Sequence, residues 1–91
     1  MPQFVRTAGY KRYIGSNEKD EPIHFHATKG SPIEDDTKFW VLSNGSIMLA
    51  HNKGRISEKD LSKIMSVMQL YYFEFVDFWK TYFGGTVKFH K

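Results

Sequence analysis

Cysteine is absent from this 91-residue chain, which excludes disulfides, thiolate metal sites and thiol nucleophiles and suits a reducing compartment. No run approaches the roughly 18 consecutive apolar residues of a membrane span. The opening Met1-Pro2-Gln3-Phe4-Val5-Arg6 lacks the charged-then-apolar order of a signal peptide, so a cytoplasmic address with no membrane partner is expected. Charge of one sign is nowhere concentrated. The net charge is +3, with Lys and Arg spread from Arg6 to Lys91, so nucleic acid is a permitted partner rather than an indicated one.

Signature motifs are missing as well. There is no Gly-x-x-x-x-Gly-Lys-Ser/Thr, no Gly-x-Gly-x-x-Gly and no His-Glu-x-x-His, and no serine stands in a nucleophile-elbow context. No cofactor is expected. The acidic group Glu34-Asp35-Asp36 reads as a solvated loop rather than a cation site.

The content that remains is 41% hydrophobic, ordinary for a compact globule, and the length is that of a single domain over 1–91. A chain of this size buries only about 60 to 65% of its unfolded surface. It gains more than a larger protein from a second copy or a partner.

Segments 9–15 and 22–28 carry aromatic and β-branched residues and read as strands, with polar residues 16–21 as a hairpin loop and 29–37 as a surface connection. Lys38 to Ser43 and Ser46 to Ala50 flank Asn44-Gly45, which predicts a two-residue turn with both central residues at positive φ. That register pairs Leu42 with Ile47, Val41 with Met48, Trp40 with Leu49 and Phe39 with Ala50. One face then carries Trp40, Leu42, Ile47 and Leu49, the other Phe39, Val41, Met48 and Ala50.

Ser57 as N-cap, Asp60 three residues on and the pair Ile56 and Leu61 mark a helix start, and Gly84-Gly85 marks its stop. An unbroken helix over 58–83 would run about 39 Å against a domain about 31 Å across. Its apolar stripe runs from Leu61 through Ile64, Met68, Tyr72, Phe75 and Trp79 to Phe83, widened by Val67, Tyr71 and Phe78. The polar face opposite, with Lys59, Lys63, Ser66 and Asp77, is broken by Leu70 and Phe73. Residues 86–90 alternate and can return as a short edge strand. The fold expected is therefore α+β: an antiparallel sheet of four to five strands within 9–50, packed against one long C-terminal amphipathic helix over 57–83.

One helix covers one face of a sheet, and this sheet's central hairpin is apolar on both. The surplus points to a protein-interaction module that forms a homodimer or binds a small partner protein, with Tyr71, Phe73 and Phe78 on the helix and Phe39, Val41 and Met48 on the hairpin as contact residues. His24 and His26 stand two apart on a strand and share one face. Three readings fit them. They hydrogen-bond locally; they bind metal, with His51 as a third ligand; or they act as general acid and base in a nucleic-acid-directed enzyme or toxin, with Lys11, Arg12, Lys29 and Lys38 holding phosphate.

Glu21-Pro22-Ile23-His24-Phe25-His26, Lys29-Gly30, Lys38-Phe39-Trp40, Leu49-Ala50 with Asn52 and Gly54, and the helix with Leu61, Ile64 and Trp79 together resemble the small bacterial family catalogued as domain of unknown function 4160. The resemblance spans about residues 10 to 83 and rests on Pro22, His24 and His26 as the recognisable motif. It implies a compact bacterial or phage-type protein, encoded beside another small protein in a toxin-antitoxin-like gene pair; a mobile-element pair also fits a short, basic, partner-seeking domain. The aromatic density from Tyr71 to Trp79 and the tail from Thr86 to Lys91 depart from that pattern.

Overall fold

The computed structural model describes residues 3–7 (in the course of their backbone), 9–14, 21–29, 36–85 and 87–90. Most of the loop expected over 16–21, the stretch 30–35 and Thr86 lie outside the described residues. The elements are β1 (Gln3–Thr7), β2 (Tyr10–Tyr13), β3 (His24–Thr28), β4 (Thr37–Val41), β5 (Ile47–His51), α1 (Glu58–Leu70) and α2 (Tyr72–Phe83). The strands form one antiparallel sheet in the order β1-β2-β3-β4-β5. The sheet thus begins before residue 9, with a first strand that the sequence reading passed over. Among the described residues, 87–90 form no strand.

The hairpin between β4 and β5 differs from the expected register by one residue. Phe39 pairs with Leu49, Trp40 with Met48 and Val41 with Ile47. The turn takes three residues rather than two, because Gly45 N–H donates to the Leu42 carbonyl at 3.2 Å and Leu42 N–H to the Ser46 carbonyl at 2.9 Å. Gly45 alone supplies the positive φ, at 92°, while Asn44 keeps an ordinary φ and accepts from Ser46 N–H at 3.0 Å through its side chain. This is the type I turn with a glycine bulge. A one-residue slip exchanges the faces, so Phe39, Val41 and Ile47 are buried together in the core and Trp40 and Met48 lie on the opposite side.

The helical layer covers that first face. Tyr10 from β2 with Ile14 just after it, Phe25 and Ala27 from β3 with Ile23 just before it, and Phe39 and Val41 from β4 meet Leu61, Ile64, Met68, Tyr72, Phe75 and Trp79. Phe25 stacks on Phe39 at 4.8 Å and meets Phe75 edge-on at 5.7 Å, so an aromatic column runs from sheet to helix.

Ser57 caps α1 as expected, its hydroxyl accepting from Asp60 N–H at 3.2 Å, and Ile56 is buried beside Leu61. Gly84 closes α2 in the left-handed region at φ 84°. Between them the expected single helix is two, of 13 and 12 residues, joined at Tyr71 with φ −98° and ψ 19°. No proline or glycine causes the break. Met68 is held in the core and the Tyr72 hydroxyl donates to the Leu42 carbonyl at 2.7 Å; bending between them keeps both halves on the sheet. The longest dimension of the molecule is 33 Å, less than the rod a straight helix would make. Among the described residues no helix is long and apolar enough to cross a membrane.

The link from β5 to α1 is fastened by Asn52. Its Oδ1 accepts from Ile56 N–H at 2.9 Å and from the Thr37 hydroxyl at 2.7 Å, while its Nδ2 donates to the Ile56 carbonyl at 2.8 Å. The Thr37 oxygen in turn accepts from Gly54 N–H at 3.1 Å.

Candidate functional site

Alternation along β3 sends Ile23, Phe25 and Ala27 into the core and His24 and His26 to the other face, as the spacing predicts. There they join a row of rings. Tyr13 stacks on His26 at 5.2 Å, His26 meets His24 edge-on at 5.1 Å, His24 meets Trp40 at 5.8 Å, and Trp40 carries His90 stacked at 4.6 Å and 7°. His90 arrives because the chain after α2 returns beside the residue that precedes β3, where Ile23 N–H donates to the Lys88 carbonyl at 2.7 Å. Around the row stand Lys38, with its ammonium 4.4 Å above the Trp40 ring and 2.9 Å from the Glu21 carboxylate, and the buried Asp36, which accepts a hydrogen bond from the Tyr13 hydroxyl. Asp36 is therefore a fixed acceptor and not the solvated loop carboxylate expected.

His24 is fully buried. Its Nδ1 lies 2.8 Å from the Pro22 carbonyl, and a carbonyl only accepts, so Nδ1 carries a proton. Trp79 closes the remaining side at 5.3 Å, which joins the ring row to the helical layer at the first position of β3. A general acid or base must come within hydrogen-bond reach of its substrate; the packing around His24 offers no such approach, while His26 is half-buried. His51 does not converge on the pair. The register sets Lys38 opposite both His26 and His51, so a cation's strand lies between them, two strand spacings or about 9.6 Å across. Among the described residues no group of three His, Cys, Asp or Glu side chains is arranged to hold a metal ion.

The four cations named for phosphate do not share a surface. Lys11 and Arg12 are neighbours on β2 and so point to opposite faces. Arg12 is fully buried on the helix side, where burial lowers its pKa to about 10 against a smaller opposing electrostatic effect of Tyr71. Lys29 lies 5.1 Å over the Tyr10 ring, and Lys38 is engaged by Glu21 and Trp40.

The contact residues named on the hairpin separate in the same way. Phe39 and Val41 have no exposed surface, while Met48 is 38% exposed. On the helices Phe78 is half-buried against the core, 6.1 Å from Phe75. Tyr71 is 43% exposed, and Phe73, at 80%, is almost wholly in solvent. Leu70 matches it at 81%. Leu70 was not named for the site, although its interruption of the polar face was the signal for it, since an apolar residue opposite the buried stripe has nothing in its own fold to cover it.

No curated protein and no solved structure matches the chain. The family model described as Domain of unknown function (DUF4160) matches residues 9–80, a span that takes in the ring row from Tyr13 to Trp40 but not His90, and the hairpin, Asn52 and the junction of the two helices. With most of its length so matched, the chain belongs to the DUF4160 family.

Proposed function

We propose that this domain is a small protein-interaction module that self-associates or binds a small partner protein through the outer face of the helix pair. One observation carries the reading. Leu70 and Phe73, a single helical turn apart beside the break at Tyr71, are 81% and 80% exposed. Burying a leucine or phenylalanine completely is worth about 1.5 to 3 kcal/mol, so covering both on one protomer offers roughly 3 to 5 kcal/mol. A paired arrangement offers about twice that, against an association cost on the order of 4 to 15 kcal/mol. The balance suits a reversible contact. The partner, where it is a different chain, is the product of an adjacent gene in a toxin-antitoxin-like or mobile-element pair.

The catalytic alternative for His24 and His26 finds less support, because the first imidazole is enclosed by Trp40, Trp79 and His26. Size-exclusion chromatography with light scattering tests the docking face, on wild type and on Leu70→Asp/Phe73→Asp, with and without the neighbouring gene's product. Wild type is expected as a dimer or as a complex, and the double variant as a monomer of unchanged circular dichroism. A wild type that stays monomeric at high concentration and leaves the neighbour unbound removes the proposal.

A further inference from the structure

The outer helical face carries more than two apolar side chains. At 100° per residue, Lys63, Leu70 and Asp77 fall within about 40° of one another, with Leu70 midway between the other two in sequence. Ser66 and Glu74 flank Leu70 symmetrically, and so do Val67 and Phe73. Lys63, Ser66, Leu70, Phe73, Glu74 and Asp77 are all exposed. Across the break the chain keeps two helical bonds, Tyr71 N–H to the Val67 carbonyl at 3.1 Å and Phe75 N–H to the Tyr71 carbonyl at 2.9 Å, and the stripe residues on both sides of it are exposed. On this stripe the charge of α1 is positive, from Lys59 and Lys63, and that of α2 is negative, from Glu74 and Asp77. The apolar part lies between.

Such a stripe is complementary to itself when reversed. We infer that the occupant of this face is a second copy of the chain, packed antiparallel about a two-fold axis through Leu70, with each Lys63 facing Asp77 of the other copy. This deepens the docking-face reading and rests on it. A parallel arrangement sets lysine on lysine and carboxylate on carboxylate, whereas the antiparallel one puts opposite charges together at both ends and Val67, Leu70 and Phe73 of both copies in the middle. That is an apolar centre with a charged rim, and an isologous contact that closes at two. The stripe extends only about 10.5 Å to either side of Leu70 at 1.5 Å per residue. The contact is therefore at the small end of specific interfaces, and its rim charges make it salt-dependent.

The test uses the full chain with single charge reversals, Lys63→Glu and Asp77→Lys, followed by sedimentation velocity at low ionic strength. Each variant alone faces like charge at both rim contacts, while an equimolar mixture restores opposite charge at both. Each alone is expected to self-associate about tenfold or more weakly than wild type, and the mixture to recover to within about threefold of it. Added salt shrinks the differences. Both positions are exposed, so unchanged circular dichroism is expected; if a reversal perturbs folding, Lys63→Gln and Asp77→Asn give the same ordering with smaller steps.

Variants that self-associate like wild type, or a mixture no tighter than its components, overturn the inference. If Leu70→Asp/Phe73→Asp abolishes association while the charge reversals do not, the docking face stands and the antiparallel register falls. If wild type is monomeric yet binds its neighbour through Leu70 and Phe73, the second copy is overturned and the face is kept.

Discussion

Replacing His24 by alanine separates a packing role from a chemical one. The imidazole is fully buried, touches Trp40, Trp79 and His26, and donates from Nδ1 to the Pro22 carbonyl at 2.8 Å. Truncating a large buried side chain costs about 2 to 5 kcal/mol, and a lost hydrogen bond about 1 kcal/mol. The lower end of that sum, about 3 kcal/mol, is already a large part of the roughly 5 to 14 kcal/mol that 91 residues provide and lowers Tm by about 10 to 25 °C. His24→Asn keeps a donor near the Nδ1 position and loses the ring, so it falls between. His26→Ala removes a half-buried ring stacked on Tyr13 and costs about 1 kcal/mol. Urea unfolding followed by tryptophan fluorescence reads all three, since Trp40 and Trp79 flank His24, and a common m-value shows that the unfolded states are comparable. A His24→Ala protein within about 0.5 kcal/mol of wild type, or one more stable than His26→Ala, would refute the packing account.

Three further outcomes follow from the same geometry. Asn52→Ala removes three hydrogen bonds from the link between β5 and α1 and is expected to cost about 2 to 3 kcal/mol; Asn52→Asp, which keeps the acceptor and loses the Nδ2 donor, costs less in the same urea titration. Gly45→Ala meets no atom within 4 Å but holds φ at 92°, so its cost is backbone strain of about 1 to 2 kcal/mol, and an unchanged unfolding midpoint would contradict the three-residue turn. Arg12→Met tests burial of charge. Because burial depresses the folded pKa to about 10, the cost of the charged form is fully present below that pH and fades as pH rises through it toward the unfolded value. Arg12→Met is thus at least as stable as wild type near neutrality, by a margin flat between about pH 6 and 9 and narrowing above about pH 10. A margin that varies between pH 6 and 9 contradicts the assignment.

Local signals were readable in the sequence where the chemistry is local. Ser57, Asp60, Ile56 and Leu61 specify the helix start through contacts within five residues, and Gly84 specifies its end by adopting φ 84°. His24 and His26 share a face because strand geometry requires it. The hairpin register was less legible, since Asn-Gly serves both a two-residue turn and a type I turn with a glycine bulge. The difference of one residue set Phe39 and Val41 on the face of Ile47 and Leu49 rather than that of Met48, and the helices cover that face, so both lie in the core and not on the expected contact surface.

The break at Tyr71 had no local signal at all. It answers to a hydrogen bond 30 residues away in sequence, from Tyr72 to Leu42, and to the burial of Met68 on its other side. Arg12 and Asp36 were equally opaque. Their burial depends on which elements close over them, which a charged residue on a predicted strand or loop does not disclose.

Leu70 and Phe73 pose the converse problem, because the fold gives no reason for their identity. The buried stripe from Leu61 to Trp79 seals the sheet without them, and the outer caps of the helix pair, Ser57 and Gly84, lie more than a full turn away. Lysine or glutamate at either position would hold the helix about as well and keep it more soluble. Intramolecular stability therefore does not account for two large apolar residues in water, whereas a surface that covers them does.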